Sequence, residues 1–319
     1  PRTGHTLCVF DQNGQSTAVP DAGLLFQRKK AGFSFQISQK FDPCPVFPLS
    51  DWCYNKNIEV KQKGAVLMDD FWKSVQTIQA ERGSAYRAFS LFDRTHLAEL
   101  LAAALLIVLC AVVYRRCTDA TRRQILRALF VLMLADEVVK HLAMLCTGQW
   151  SAIYLPLHLC SINIFVCWYD ALHDSRWSKE VLYALCLPGA LVAMLSPSWQ
   201  KLPVWNLMHL HSYTVHVLLI LYPILLLVGG FRPQVRSLRY VLAFLLCTAL
   251  PIYVLNCILG TNFFFLNDPQ GNAITVLFAR YLGNRFYVLG FLPVIALVWA
   301  LLYLPWYIAQ RHPRHAALN

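Results

Sequence analysis

Charge is what this chain of 319 residues has least of. Lys, Arg, Asp and Glu make up 14% of it, against roughly 25% in soluble domains, so most of its surface is not built for water. Acidic residues are the scarcer kind, 17 against 28 Lys and Arg, for a formal net charge of +11. That basic excess is not interleaved with aromatics on a soluble domain, which argues against a nucleic-acid surface; in an apolar chain it marks loops held on the cytoplasmic side. No CxxC pair occurs among the 11 cysteines, so neither a zinc knuckle nor a thioredoxin-type motif is expected. Most of the cysteines (Cys110, Cys146, Cys160, Cys167, Cys186, Cys247 and Cys257) lie in apolar runs, where a thiol is usually a small hydrophobe. Residues 1–67 lack a signal-peptide h-region, and the chain has no internal repeat.

What is present is hydrophobicity, 57% of the residues. Seven windows approach the 20 or so apolar residues needed to cross a bilayer: 97–114, 124–146, 153–171, 181–195, 207–228, 238–259 and 286–308. The expectation is an all-α polytopic membrane protein of about seven helices, with its membrane domain at 96–310. The fourth window is short and holds Pro188 and Gly189, which predicts a kink; Pro223, Pro251 and Pro293 interrupt others. Alternate loops, from "RRCTDATRRQILR" to the C-terminal "QRHPRH", hold about twelve Lys and Arg. The opposite loops hold Lys201, Arg280 and Arg285. The asymmetry places the C-terminal tail, 311–319, in the cytoplasm and the N-terminus outside. Residues 1–67 are polar and turn-rich. They read as an irregular or spurious extension that precedes a more sensible start at Met68, in which case Cys8, Cys44 and Cys53 carry no role; the alternative is an external tail with one disulfide. Residues 68–95 are expected to form a short amphipathic lead-in.

Ionisable groups inside a membrane cost on the order of 2.5–3.5 kcal/mol each and ask for a partner or a job. The second window carries Asp136, Glu137, Lys140 and His141, spaced for i,i+4 pairs Asp136–Lys140 and Glu137–His141. The fifth places His209, Tyr213 and His216 on one stripe, with His211 pointing the other way; His209 and His211 read as packing or interfacial residues. Depth counted at about 1.5 Å per residue puts Glu137, His141, His158, Cys160, His216, Asn256 and Asn262 in one layer and suggests a polar cavity opening outward. His158 and Cys160 are about 200° apart if both are helical. Cys160, with Asn163 beside it, then needs an imidazole from another helix, and His216 is best placed to activate the thiol.

"LPLHLCSI" (155–162), "LADEVVK", "VLNCILGTNFFFLNDP" and "FSLFDRTHLAEL" resemble the YwaF-like integral membrane family, which is similar to the vertebrate transmembrane protein 164 group. The resemblance runs from about Phe89 to the end of the seventh window. It implies a lipid acyltransferase or acyl hydrolase with Cys160 as nucleophile and His216 as base, supported by Glu137, His141, His158, Asn163, Asn256 and Asn262. It implies no cofactor and no metal; membrane lipids would be both substrate and solvent. Phe263 stands where a tyrosine is usual and Asp268 where a basic residue is common, which bears on the substrate. Three other readings stay open: a proton-linked carrier, a metal site built from His158, Cys160, His209, His211 and His216, and a receptor-like scaffold.

Overall fold

A computed structural model describes residues 7–10, 16–19, 69–269 and 273–311. The chain divides into two compact units, Pro1–Tyr54 and Asn55–Asn319. In the first, β1 (Leu7–Phe10) pairs antiparallel with β2 (Ser16–Val19). The expectation for residues 1–67 otherwise lies outside the described residues.

The second unit is helical. Its lead-in is not one amphipathic helix but a turn at 69–71 followed by α1 (Val75–Arg82), which ends at Gly83 with φ 88°. Side chains of later loops strap this segment down. The Asn206 amide donates to the carbonyls of Asp70 (2.6 Å) and Lys73 (2.8 Å). Gln149 Oε1 accepts from the Ser74 amide at 2.7 Å and from the Thr77 hydroxyl at 2.9 Å.

Polar caps then set where the long helices begin. Asp93 Oδ1 accepts from the His96 amide at 3.0 Å to open α2 (Arg94–Arg115), and the His96 and Ser90 amides hold the Asp93 carboxyl below the usual carboxylate range. Thr118 opens α3 (Asp119–Cys146), and α4 (Leu159–His173) follows. α5 (Arg176–Val181) runs through a π-turn at Leu182–Cys186 into α6 (Leu187–Leu195). Asn206 Oδ1 accepts from the Met208 amide at 2.9 Å to open α7 (Leu207–Val228). α8 (Leu238–Leu259) stops at Gly260, which takes the left-handed conformation. A short α9 (Ala273–Leu282), which no hydropathy window isolates, leads to α10 (Phe291–Arg311).

The expected break at Pro188 is the π-turn just before it. Proline has no N–H for the carbonyl four residues back, and the freed Ala184 carbonyl accepts instead from Trp299 Nε1 at 3.1 Å. Pro223 frees the Leu219 carbonyl in the same way, and Cys186 Sγ donates to it at 3.3 Å. Neighbouring helices thus satisfy both breaks, as a low-dielectric setting requires. α7 is the hub: it packs against α2, α3, α4 and α6, and its Val217–Tyr222 run is buried. α2 and α8 instead expose Leu105, Leu109, Leu250 and Ile258, a face suited to lipid.

Among the described residues, five segments are long and apolar enough to cross a membrane: Arg94–Arg115, Arg176–Lys201, Leu207–Val228, Val235–Leu259 and Tyr287–Ala309. The other two expected windows are helices of a different kind. α3 is long, but it is laden with charge at both ends. α4 has 15 residues, about 22 Å of helix, short of the roughly 30 Å hydrocarbon core.

Between α9 and α10, Gly290 is wedged against Phe278, and an added Cβ would overlap the base of that ring. Phe278 is itself pinned edge-on by Phe291 at 5.4 Å. Gly290→Ala is therefore expected to destabilise the fold by about 1–3 kcal/mol, seen as a lower unfolding midpoint in detergent; an unchanged midpoint would show that the ring yields freely.

Candidate functional site

Glu137, Lys140, His158 and Cys160 lie within electrostatic reach of one another where α3 ends and α4 begins. His158 is not helical. It is the residue before the first turn of α4, with φ −70° and ψ 154°, and its side chain makes no capping bond. The helical angle that would separate it from Cys160 therefore does not apply. Its ring packs edge-on to Phe263 at 5.0 Å and lies 6.0 Å from Phe265.

Those phenylalanines belong to the turn after α8, and Asn256 and Asn262 are occupied in building it. Asn256 Oδ1 accepts from the Phe263 amide (2.8 Å) and the Thr261 hydroxyl (2.9 Å). Its amide nitrogen donates to the Phe263 carbonyl (2.9 Å) and to Asn267 Oδ1 (2.8 Å). Asn262 Oδ1 accepts from the amides of Asn267 (3.1 Å) and Asp268 (3.2 Å). Phe264 and Phe265 both sit at positive φ, 59° and 53°, a conformation that costs on the order of 1 kcal/mol or more and persists only where the surroundings impose it. The asparagine bonds impose it here, and the result is Phe263 held on His158.

Behind His158 lies a buried ionic cluster. Glu137 and Lys140 are each only 5% exposed. Lys140 Nζ donates to Glu137 Oε1, so the expected Asp136–Lys140 pair is corrected. The lysine turns to the carboxylate that would be worst left alone, while Asp136 faces His211, with Oδ2 and Nδ1 3.2 Å apart. The expected Glu137–His141 contact is present at 3.3 Å, and His211 Nε2 lies 3.5 Å from Glu137 Oε2. These five side chains, with Glu137, Lys140 and His211 buried and Asp136 and His141 partly so, join α3 to α7. On either side of His211 along α7, His209 Nε2 meets Glu99 Oε1 at 2.8 Å and the Tyr213 hydroxyl donates to the Glu99 carbonyl at 2.9 Å.

Cys160 is partly buried in the first turn of α4 and lies within electrostatic reach of Glu137, Lys140 and Cys186. Asn163, one turn on, donates its amide to the Leu159 carbonyl at 2.9 Å, while its Oδ1 is buried without a hydrogen-bond partner among the described residues. His216 donates from Nδ1 to the Ser212 carbonyl at 2.6 Å, which leaves Nε2 as the basic nitrogen. Its ring stacks on Trp199, centroids 5.1 Å apart and planes at 29°. His158 lies within electrostatic reach of both His216 and Lys140. Cys160 and His216 make no hydrogen bond to each other among the described residues. No group of three or more His, Cys, Asp or Glu among these residues is placed to hold a metal ion.

The model of the TMEM164 family matches residues 91–303. The chain belongs to the TMEM164 family. The matched stretch takes in α2 through α9 and most of α10, and with them Glu137, His158, Cys160, His216 and the Asn256 turn. No curated protein and no solved structure matches the chain. With its apolar helices, membership of the TMEM164 family makes it a multi-pass integral membrane protein.

Two residues of this TMEM164-family site are not signalled by the sequence, and a third, His211, reads there only as a packing residue or one candidate metal ligand. Trp199 lies in a turn between apolar windows and is 4% exposed; nothing in its neighbours signals that it will cover His216. Glu99 reads as one acid at the mouth of an apolar run.

Proposed function

We propose that this TMEM164-family protein is a membrane-embedded acyltransferase or acyl hydrolase that acts on ester-linked lipids through Cys160. Its seven crossings would be α2, α3, α4 extended to membrane depth by the 152–158 segment before it, the α5–α6 rod, α7, α8 and α10, with the N-terminus outside and the C-terminus in the cytoplasm, the sense that the Lys and Arg asymmetry favours.

The carrying observation is the setting of Cys160. The thiol is the second residue of a 15-residue helix whose cap residue leaves the first-turn amides without a side-chain acceptor. Helix N-termini favour the thiolate and offer N–H donors to a developing oxyanion. Cys160 Sγ attacks the ester carbonyl carbon while its proton passes to His216 Nε2. The C–O bond of the ester breaks, and His216 returns the proton to the departing alcohol, leaving a thioester on Cys160. The hydroxyl of a lyso-lipid, or water, then attacks the thioester as His216 takes its proton, and the thiol is regenerated.

Asn256 and Asn262 serve here by fixing the turn that seats His158, not as oxyanion donors. Trp199 backs His216, and its π-face favours the imidazolium formed in each step. Glu137, Lys140 and His141 keep the floor beneath His158 polar and fixed.

The buried cluster on α3 and α7 favours a second reading, a proton-linked carrier. One experiment separates the two. The purified full chain is treated with a lipid-like fluorophosphonate and with an acyl thioester probe, and adducts are mapped by mass spectrometry. Labelling at Cys160 that disappears in Cys160→Ala is the expected result; labelling unchanged in that variant removes Cys160 as nucleophile.

A further inference from the structure

A cavity of about 520 Å³ lies at the other end of α4, lined by Ser175, Arg176, Trp177, Ser237, Tyr240 and Ala243. It is separate from the site above: Ser175 is 15 residues beyond Cys160, roughly 22 Å along a helix. Its walls have two characters. One end is cationic and hydroxylic. The Arg176 guanidinium, half exposed, uses only Nη2 within the protein, on the Arg232 carbonyl at 3.0 Å and Glu180 Oε1 at 3.4 Å. Its Nε and Nη1 have no protein partner among the described residues. The Ser237 hydroxyl makes no hydrogen bond there either, although the residue is buried.

Glu180 does not cancel this charge in full. It is fully buried, and it also accepts from the Gln234 amide at 2.9 Å and the Tyr303 hydroxyl at 2.7 Å. Two more guanidinium groups stand close in sequence. Arg239 lies 4.7 Å over the Tyr240 ring and donates to its hydroxyl at 2.7 Å, and Arg236 is exposed in the turn that precedes α8. The other end of the cavity is apolar, formed by Trp177, Tyr240 and Ala243. It adjoins the face of α8 on which Leu242 and Leu246 are exposed.

We infer that this cavity binds a phospholipid with an anionic head group, its phosphate on Arg176 and the Ser175 and Ser237 hydroxyls, and its chains along α8. A basic pocket between helices with an apolar flank suits that ligand class and no purely polar one. A free phosphate shares the head-group chemistry but has nothing to place on the aromatic end.

The test uses the full chain in nanodiscs of phosphatidylcholine with a minority of phosphatidylglycerol, extracted and weighed by native mass spectrometry. Phosphatidylglycerol is expected to be retained over phosphatidylcholine, and Arg176→Ala to lower that retention about fivefold, the share of one arginine at a lipid surface. Arg176 also braces Glu180, so Ala243→Trp, which fills the apolar end and leaves every ion pair in place, is the second variant. It is expected to lower retention with an unchanged unfolding midpoint. No preference for phosphatidylglycerol, or equal retention in both variants, overturns the inference. So does displacement by glycerophosphate as readily as by the diacyl lipid, since the site would then take phosphate alone. Labelling of Cys160 is expected to persist in both variants.

Discussion

Replacing His216 with alanine is expected to slow labelling of Cys160 by an acyl probe about 10²–10⁴-fold near neutral pH, the usual worth of a positioned general base. The reason lies in the role proposed for the ring. Nδ1 is committed to the Ser212 carbonyl at 2.6 Å, so the ring presents one basic nitrogen, Nε2, and the Trp199 stack restricts how the ring can turn. Raising the pH should recover part of the lost rate in His216→Ala, because hydroxide can then take the thiol proton, while the wild type gains little. Plotted against pH, the two labelling rates should converge on the alkaline side. His158→Ala is the control: its ring is a competing imidazole, within electrostatic reach of His216, but it is seated on Phe263. A modest loss in His158→Ala beside a large one in His216→Ala assigns the base. The reverse order would move that role to His158 and leave His216 as its support.

The helices were legible because their signals are local. Asp93 and Asn206 each precede an apolar run and cap a helix, Thr118 caps the charged start of α3, and Pro188 marks a break that the backbone takes as a π-turn. The convergence of Glu137, His158 and Cys160 was legible too, because depth along a helix follows from residue count. Contacts set by rotation and by loops were not. Lys140 has two acids within helical reach, and only burial in three dimensions decides for Glu137 over Asp136. Whether His158 is the last residue of a loop or the first of a helix changes its direction completely, and "LPLHLCSI" alone does not say. Trp199 reaches His216 through a turn whose path depends on Ala88, whose amide donates to the Gln200 carbonyl at 2.7 Å. That bond is made by the lead-in segment, outside every hydropathy window.

The buried cluster offers the largest expected effect on stability. In Lys140→Met the Glu137 carboxylate, 7% exposed at its side chain, loses its closest cation. Removing one member of a buried pair typically costs about 3–5 kcal/mol. Here His141 at 3.3 Å and His211 at 3.5 Å stay beside the carboxylate and offset part of the loss, so a value near the lower end, about 3 kcal/mol, is expected. Glu137→Gln/Lys140→Met removes both charges and should recover most of that stability, since no uncompensated ion is left. Unfolding titrations in mixed micelles measure all three proteins on one scale. A double variant as unstable as Lys140→Met would mean that the lysine stabilises through its packing and not through Glu137. A stable double variant that no longer labels at Cys160 would separate two duties of the cluster: the fold could spare the ion pair, while the thiol one helix away could not.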